Sequence, residues 1–316
     1  MLLVGTDDGV YRITEASGDR TARVQRRLGS GRVNRLRRFD RVEGVFAATK
    51  TGLFYAPDGS EWIDLGVPLE QVYAVGCDPD TGRLFAGTRP AHVYVADAVG
   101  GEGAVDADPR WTELSAIQEL PSREDWRLPR HDDLAQIRDV RHDGERLAVG
   151  IEVGGVILGE GGTYRAVDGV HEDVHELYVD APGEYVAATG LGLYRTTDAG
   201  ETWARLDEGV PQRYFRRAIT VGDTVYGAGA LTNSSTWNDP DANPALYAYA
   251  DGELTHVPLP RDDETITGMT TLDGSLVVVT HLGGVFHRRG DDWHELPSIP
   301  VVEDEVTRRY TPVTPT

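Results

Sequence analysis

The stretch Val174–Leu206, VHELYVDAPGEYVAATGLGLYRTTDAGETWARL, decides the fold. It holds four short apolar runs, Val174 to Val179, Tyr185 to Thr189, Leu193 to Thr196 and Trp203 to Leu206, separated by turns rich in glycine and aspartate. Runs this short, bounded by turn residues, read as strands of one antiparallel meander. A single four-stranded meander has no partner for its apolar faces, so a stable chain must stack several copies.

Working outward, the middle hairpin YVAAT-GLG-LY (Tyr185 to Tyr194) recurs along the whole chain. The copies are LLVGT-DDG-VY from Leu2, VFAAT-KTG-LF from Val45, LFAGT-RPAH-VY from Leu84, LAVGI-EVGG-VI from Leu147, VYGAG from Val225 closing late at Leu246-Tyr247, and LVVVT-HLGG-VF from Leu276. The anchors Thr6, Thr49, Thr88, Ile151, Thr189, Gly229 and Thr280 recur on average every 46 residues or so, about one four-stranded unit each. The expected fold is therefore all-β, a seven-bladed β-propeller of four-stranded antiparallel blades occupying residues 1–316 as a single domain. An inner-strand frame, apolar-x-x-apolar, precedes the hairpins at Val33/Leu36, Val72/Val75, Ile137/Val140, Val174/Leu177, Phe215/Ala218 and Ile266/Met269. The first unit lacks one, since the chain starts on a second strand at Leu2. The segment Val306–Tyr310 fits the missing frame, so the C-terminus is expected to pair into blade one and close the ring, removing exposed sheet edges.

Composition bears on the setting. The net charge is −21, and of the 31 basic side chains only Lys50 is a lysine, leaving 30 arginines. At molar salt the screening length falls to roughly 3 Å and the self-repulsion of so acidic a surface largely vanishes. The profile points to a halophilic, archaeal cytoplasm; an acidic protein from a GC-rich mesophile is the alternative. A single cysteine, Cys77, excludes a disulfide framework and reads as a small buried residue. No run of 18 apolar residues and no leader occurs, so the expected location is the cytoplasm, with no membrane contact.

Between the third and fourth strands, Thr196-Thr197-Asp198-Ala199-Gly200-Glu201-Thr202-Trp203 fits the pattern S/T-x-D-x-G-x-T-W throughout, with partial echoes at Asp58–Trp62 and Gly290–Trp293. On these motifs the chain resembles the Asp-box or BNR-repeat propellers of the sialidase superfamily and WD40/YVTN-like class. That group includes sialidases, two-propeller xyloglucanases, sortilin-type receptors and the seven-bladed photosystem II assembly factors. The resemblance implies a propeller in which the Asp-box turns, Asp198 included, are scaffold on the face opposite any site. It does not imply one activity, because propellers host many.

The residue after the first apolar position of each inner strand is expected to face the central channel. Around the ring these are Thr307, Asn34, Tyr73, Arg138, His175, Arg216 and Thr267, a polar, positive set with no carboxylate. In so acidic a chain this suggests an anion-binding pocket at the top of the channel; the plainer alternative is that water or loop carboxylates such as Glu152 satisfy it. The insertions 115–134, with Trp126, Arg127, Arg130 and His131, and 232–244, with Trp237, map to the same face and are expected to form a lid. His92, His131, His171, His175 and His281 gather there too. The expected ligand-binding residues are Arg138, His175, Arg216, Tyr73, Asn34, His281 and Trp126, with no catalytic residue, cofactor or metal assigned. The expected function is a monomeric, non-catalytic scaffold that binds a protein partner or an anionic ligand.

The alternative is an enzyme at the same pore. A sialidase-like glycoside hydrolase would use Arg138, Arg216 and Arg35 as a carboxylate clamp and Tyr73 or Tyr214 as nucleophile. A metal-assisted lyase would use His175 and His281 together. Against hydrolysis, the FRIP-type sialidase motif is absent, sialidase propellers have six blades, xyloglucanases need two propellers, and the ring lacks paired carboxylates. Nine arginines between Arg20 and Arg41 suggest a network with carboxylates or a docking surface for an acidic protein; nucleic acid is not expected, because the chain as a whole repels polyanions.

Overall fold

The computed structural model describes residues 1–14, 22–100, 103–301 and 310–316. The chain forms seven four-stranded antiparallel sheets arranged as a closed ring, the all-β seven-bladed propeller that the repeats require. The inner strands of blades two to seven are Val33–Phe39, Val72–Cys77, Gln136–His142, Val174–Ala181, Tyr214–Val221 and Ile266–Leu272, in register with the six frames read from the sequence. Their apolar anchors bury fully: Val33, Val72, Ile137, Val174 and Phe215 pack between neighbouring blades. Each blade's second and third strands form the repeated hairpin, as in blade five, where Glu184–Thr189 pairs with Gly192–Thr196.

The recurrent threonine of these hairpins has a local cause. Thr189 donates its hydroxyl to the Gly192 carbonyl at 2.8 Å and accepts the Leu191 N–H at 3.2 Å, clamping the turn. Thr49 does the same with the Gly52 carbonyl and the Thr51 N–H, at 3.0 and 3.1 Å. On the opposite face, the Thr196–Trp203 turn is held by Asp198, whose carboxylate accepts the Thr202 N–H at 2.9 Å and hydroxyl bonds from Thr202 and Thr196 at 2.6 and 2.7 Å. Those bonds stabilise the carboxylate and bring its pKa down to about 2. Gly200, at φ 75°, takes the left-handed turn position there, and Trp203 packs against the core between blades four and five.

The ring closes through the C-terminus, but in a different register from that expected. Val313–Pro315, not Val306–Tyr310, is the inner strand of blade one, pairing Val4 with Val313, Leu3 with Thr314 and Leu2 with Pro315. Most of the anticipated segment, including Thr307, lies outside the described residues; Tyr310 itself enters the channel above the closing strand.

Closure buries Val313 and Tyr310 and satisfies the edge of the Leu2–Gly5 strand. A chain truncated after residue 309 is expected to lose on the order of 3–5 kcal/mol, the burial of two large side chains, and to melt several degrees lower. Calorimetry checks this, and an unchanged melting temperature contradicts the closure.

Candidate functional site at the channel mouth

Six of the seven expected channel residues are brought together, Thr307 lying outside the described residues, for a reason the sequence pattern does not show. In every inner strand from blade two to blade seven the pairing skips one residue at the same place: Asn34, Tyr73, Arg138, His175, Arg216 and Thr267 are each the unpaired residue of a β-bulge. A bulge sets two residues against one on the partner strand and re-aims side chains. Both the bulged residue and the next one therefore reach the axis, which strict alternation does not allow. The residues that follow are Arg35, Asp139, Glu176 and Arg217 in blades two, four, five and six.

These make two layers. The lower is an ion-pair network across the channel. Arg35 donates to Glu176 at 2.5 Å and to the Arg138 carbonyl at 2.7 Å; Arg217 donates to Glu176 at 3.0 Å, and Arg37 to Asp139 at 3.0 Å. Two arginines of the run, Arg35 and Arg37, thus have carboxylate partners from blades four and five. The expectation of an axis without carboxylates is corrected here: Asp139 and Glu176 sit on the inner strands, and burial raises their pKa values less than the arginines lower them.

The upper layer opens into a cavity of about 780 Å³ on the face carrying the strand-two-to-three turns and the loops that enter the inner strands. Asn34, Tyr73 and Arg138 line it. His175, Arg216 and Thr267 are buried behind it: His175 shares a 2.7 Å hydrogen bond with the Phe215 carbonyl, and Thr267 with the Thr311 hydroxyl at 2.6 Å. Arg216 has no carboxylate partner among the described residues and lies 4.0 Å from the centre of the Tyr310 ring. Burial and the Arg138 charge bring its pKa down to about 10. Tyr310 lines the cavity and also lies 5.3 Å from Arg138, so it covers both guanidinium groups.

Arg138 is matched by Glu152 at 3.3 Å, and Glu152 also accepts hydrogen bonds from Arg130 and Gln136. Burial pushes the Glu152 carboxyl up, but Arg138, His175 and Arg130 more than reverse this and hold it below the usual range. Asp173, 3.4 Å from His175, is lowered against its burial by His175, Arg138 and Arg130. At the mouth the balance changes. Lys50, Arg89 and Arg213 line the cavity with no carboxylate within 4 Å among the described residues, while Arg32 pairs with Asp7 at 2.6 Å. The chain's single lysine thus stands at the mouth of this cavity.

The insertions meet over this face. Arg130 and His131, from the short helix Pro129–His131, and Thr232 to Ser235, leading into the helix Ser234–Thr236, line the cavity. Trp126 does not reach it: the ring is buried with Ile117, Ile151 and Ile157, where it anchors the insertion, and Arg123 stacks 5.1 Å from it. His281 is also buried away from the cavity, accepting the Thr265 N–H at 3.1 Å and contacting Asn238 at 3.2 Å. His175 and His281 do not converge; the rings of Tyr214 and Trp237 form an aromatic chain from one to the other. Of the other histidines, His92 binds Glu113 at 2.7 Å and His171 accepts the Asp173 N–H at 3.1 Å. The clamp of Arg138, Arg216 and Arg35 is not assembled, since Arg35 belongs to the lower layer. No glutamate hydrogen-bonds Tyr73 or Tyr214 among the described residues, and burial raises both phenols.

No protein-family model matches the sequence, and no curated protein matches it. Solved structures do match the fold. The WD40 β-propeller domain of Doa1 superposes with a TM-score of 0.60 at 11% identity, covering 85% of this chain and 83% of that one. YCF48 bound to D1 peptide gives 0.58 at 13%, covering 83% and 81%. The GH74 xyloglucanase from Xanthomonas campestris gives 0.58 at 15%, and the match spans 91% of this chain but only 47% of that enzyme. At these identities the likeness defines the class, a seven-bladed β-propeller. Among the described residues no helix is long and apolar enough to cross a membrane.

The pairing of Arg138 with Glu152 is open to a direct test. Glu152→Gln is expected to cost on the order of 3 kcal/mol of stability, as for other broken buried ion pairs. Because the folded-state pKa of Glu152 is lowered, its contribution is present above the ordinary glutamate range and is lost as pH falls through the folded value. Thermal melts from pH 7 to pH 3 are expected to show the variant's deficit shrinking toward acid; a constant deficit contradicts the assignment.

Proposed function

We propose that this propeller is a non-catalytic binding scaffold that takes an acidic protein segment or an anionic ligand into the channel-mouth cavity. The observation that carries the reading is the set of Lys50, Arg89 and Arg213, cations without carboxylate partners among the described residues, around one cavity of a chain whose net charge is −21. Deeper in, Arg138 is already matched by Glu152, so it orders the floor while the mouth supplies the attraction. Arg89 stacks 5.5 Å from Tyr73, which fixes one guanidinium over the expected ligand-binding tyrosine. Leu191 at the mouth, with Leu134 and Leu282 on neighbouring loops of the same face, are three of the few large apolar side chains left exposed and suit a protein partner. In YCF48 a propeller of this class holds a D1 peptide, which accords with a binding role. The Asp-box turn, the halophilic archaeal composition, the cytoplasmic setting and a single-domain monomer complete the proposal.

A second reading has one observation in its favour. Glu152 and Asp173 both line the cavity and are bridge partners, which brings two carboxylates together beside arginines, as a glycoside hydrolase requires. Both are held ionised, whereas hydrolysis needs one carboxyl with a raised pKa to protonate the leaving group. The binding reading is therefore preferred.

Calorimetric titration with a glutamate-rich octapeptide tests it. The wild-type protein is expected to bind that peptide at least about tenfold more tightly than a neutral peptide of equal length, and Lys50→Gln/Arg89→Gln/Arg213→Gln is expected to lose the difference. Equal binding of both peptides, or turnover of aryl glycosides that Glu152→Gln abolishes, contradicts the proposal.

A further inference from the structure

The opposite end of the channel carries a second cavity, of about 170 Å³, which shares no lining residue with the first. Arg35, Arg37, Arg141 and Arg217 line it together with Glu176, Thr270 and Thr314, and the exposed Arg38 borders it. Two carboxylates serve these four guanidinium groups. Glu176 takes Arg35 and Arg217 at 2.5 and 3.0 Å; Asp139 takes Arg37 at 3.0 Å, Arg35 at 3.4 Å and Arg141 at 3.5 Å. Among the described residues these four arginines are left with two positive charges in surplus; Arg38, which is exposed and solvated at the edge of the cavity, stands outside this count.

That surplus is buried. The side chains of Arg35 and Arg217 are each 3% exposed. Among the described residues, each of the four arginines keeps one buried nitrogen without a hydrogen-bond partner: Nε of Arg35 and Arg37, Nη2 of Arg141 and Arg217. Arginine does not shed its proton in proteins, and an uncompensated buried charge is strongly unfavourable. Burial lowers the pKa of Arg35, Arg37 and Arg217, the last to about 9, so the two carboxylates under-compensate the cluster.

We propose that this lower cavity is a binding site for a small doubly charged oxyanion, inorganic phosphate or sulfate. Its charge equals the surplus, its tetrahedral oxygens accept from guanidinium forks and from the Thr270 and Thr314 hydroxyls, and the cavity has room for one such ion with a few waters. This site is separate from the channel mouth and does not depend on the reading proposed for it. Bound there, the ion joins blades two, four and six through the arginines they contribute, which gives it a structural role in holding the ring.

The test is calorimetric titration of the full-length protein with inorganic phosphate, and separately with sulfate, at fixed ionic strength and pH 8. One saturable site per chain is expected, together with a higher melting temperature in phosphate than in chloride of equal ionic strength. Arg37→Gln/Arg141→Gln, which alters the two less buried arginines, is expected to weaken binding at least about tenfold while circular dichroism shows a folded chain. The channel-mouth variant Lys50→Gln/Arg89→Gln/Arg213→Gln is expected to bind as the wild type does. Absence of saturable binding overturns the proposal, as does binding that the mouth variant loses and the lower variant retains. If the lower variant does not fold, wild-type crystals grown with selenate decide the matter: an anomalous peak between Arg37 and Arg217 supports the site, and its absence overturns it.

Discussion

The β-bulge at the second residue of six inner strands is the constraint on which the rest depends. A regular strand would send one residue to the axis and the next into the packing between blades. The bulge sends both inward, so blades two, four, five and six each present two long polar side chains to the same hole. In the upper set Asn34 and Arg138 line the cavity with His175 and Arg216 buried behind them, and the lower set crosses the channel as ion pairs, with Glu176 joined to arginines from blades two and six. Without the bulges Arg35 and Glu176 would face apolar layers, where neither could be paired.

The chain's charge is distributed in keeping with this arrangement. Carboxylates dominate overall, while a group of arginines gathers at the axis, sharing Asp139 and Glu176 on the inner strands, with further cations at the channel mouth. An acidic surface in concentrated salt keeps its hydration while its long-range repulsion is screened. Buried pairs are screened far less, so the interior electrostatics would persist at salt concentrations that screen the surface. A ligand that reaches the axis meets attraction of short range and high specificity, suited to recognition by contact rather than by steering.

Much of the fold was legible because the relevant signals are local. Hairpin turns carry their own threonine and glycine chemistry, and inner strands repeat an apolar spacing that survives divergence between copies. Closure was legible as topology but not as register: a strand of only three residues, Val313–Pro315, is too short for periodicity to locate, and a better-looking frame stood nearby. In the site, Asn34, Tyr73 and Arg138 could be found because bulges recur at a constant offset from the first apolar anchor. Asp139 and Glu176 were missed because alternation assigns them to the wrong layer. Lys50, Arg89 and Arg213 were missed because turn residues carry no period, and Tyr310 because its segment was placed out of register. Trp126 shows the opposite error: a large aromatic in an insertion was assigned to the ligand, whereas its burial fastens the insertion to the blade beneath.

The central claim is that the axis of this propeller is a recognition site built from bulge-directed side chains beneath a ring of cations. A crystal structure of the protein grown with a glutamate-rich peptide at low ionic strength tests it most directly. The account places peptide carboxylates against Lys50, Arg89 and Arg213 above Tyr73, with Arg138 still bound to Glu152. Peptide on the outer rim of the blades with the channel mouth filled only by water, or inner strands paired without the bulges, would contradict it.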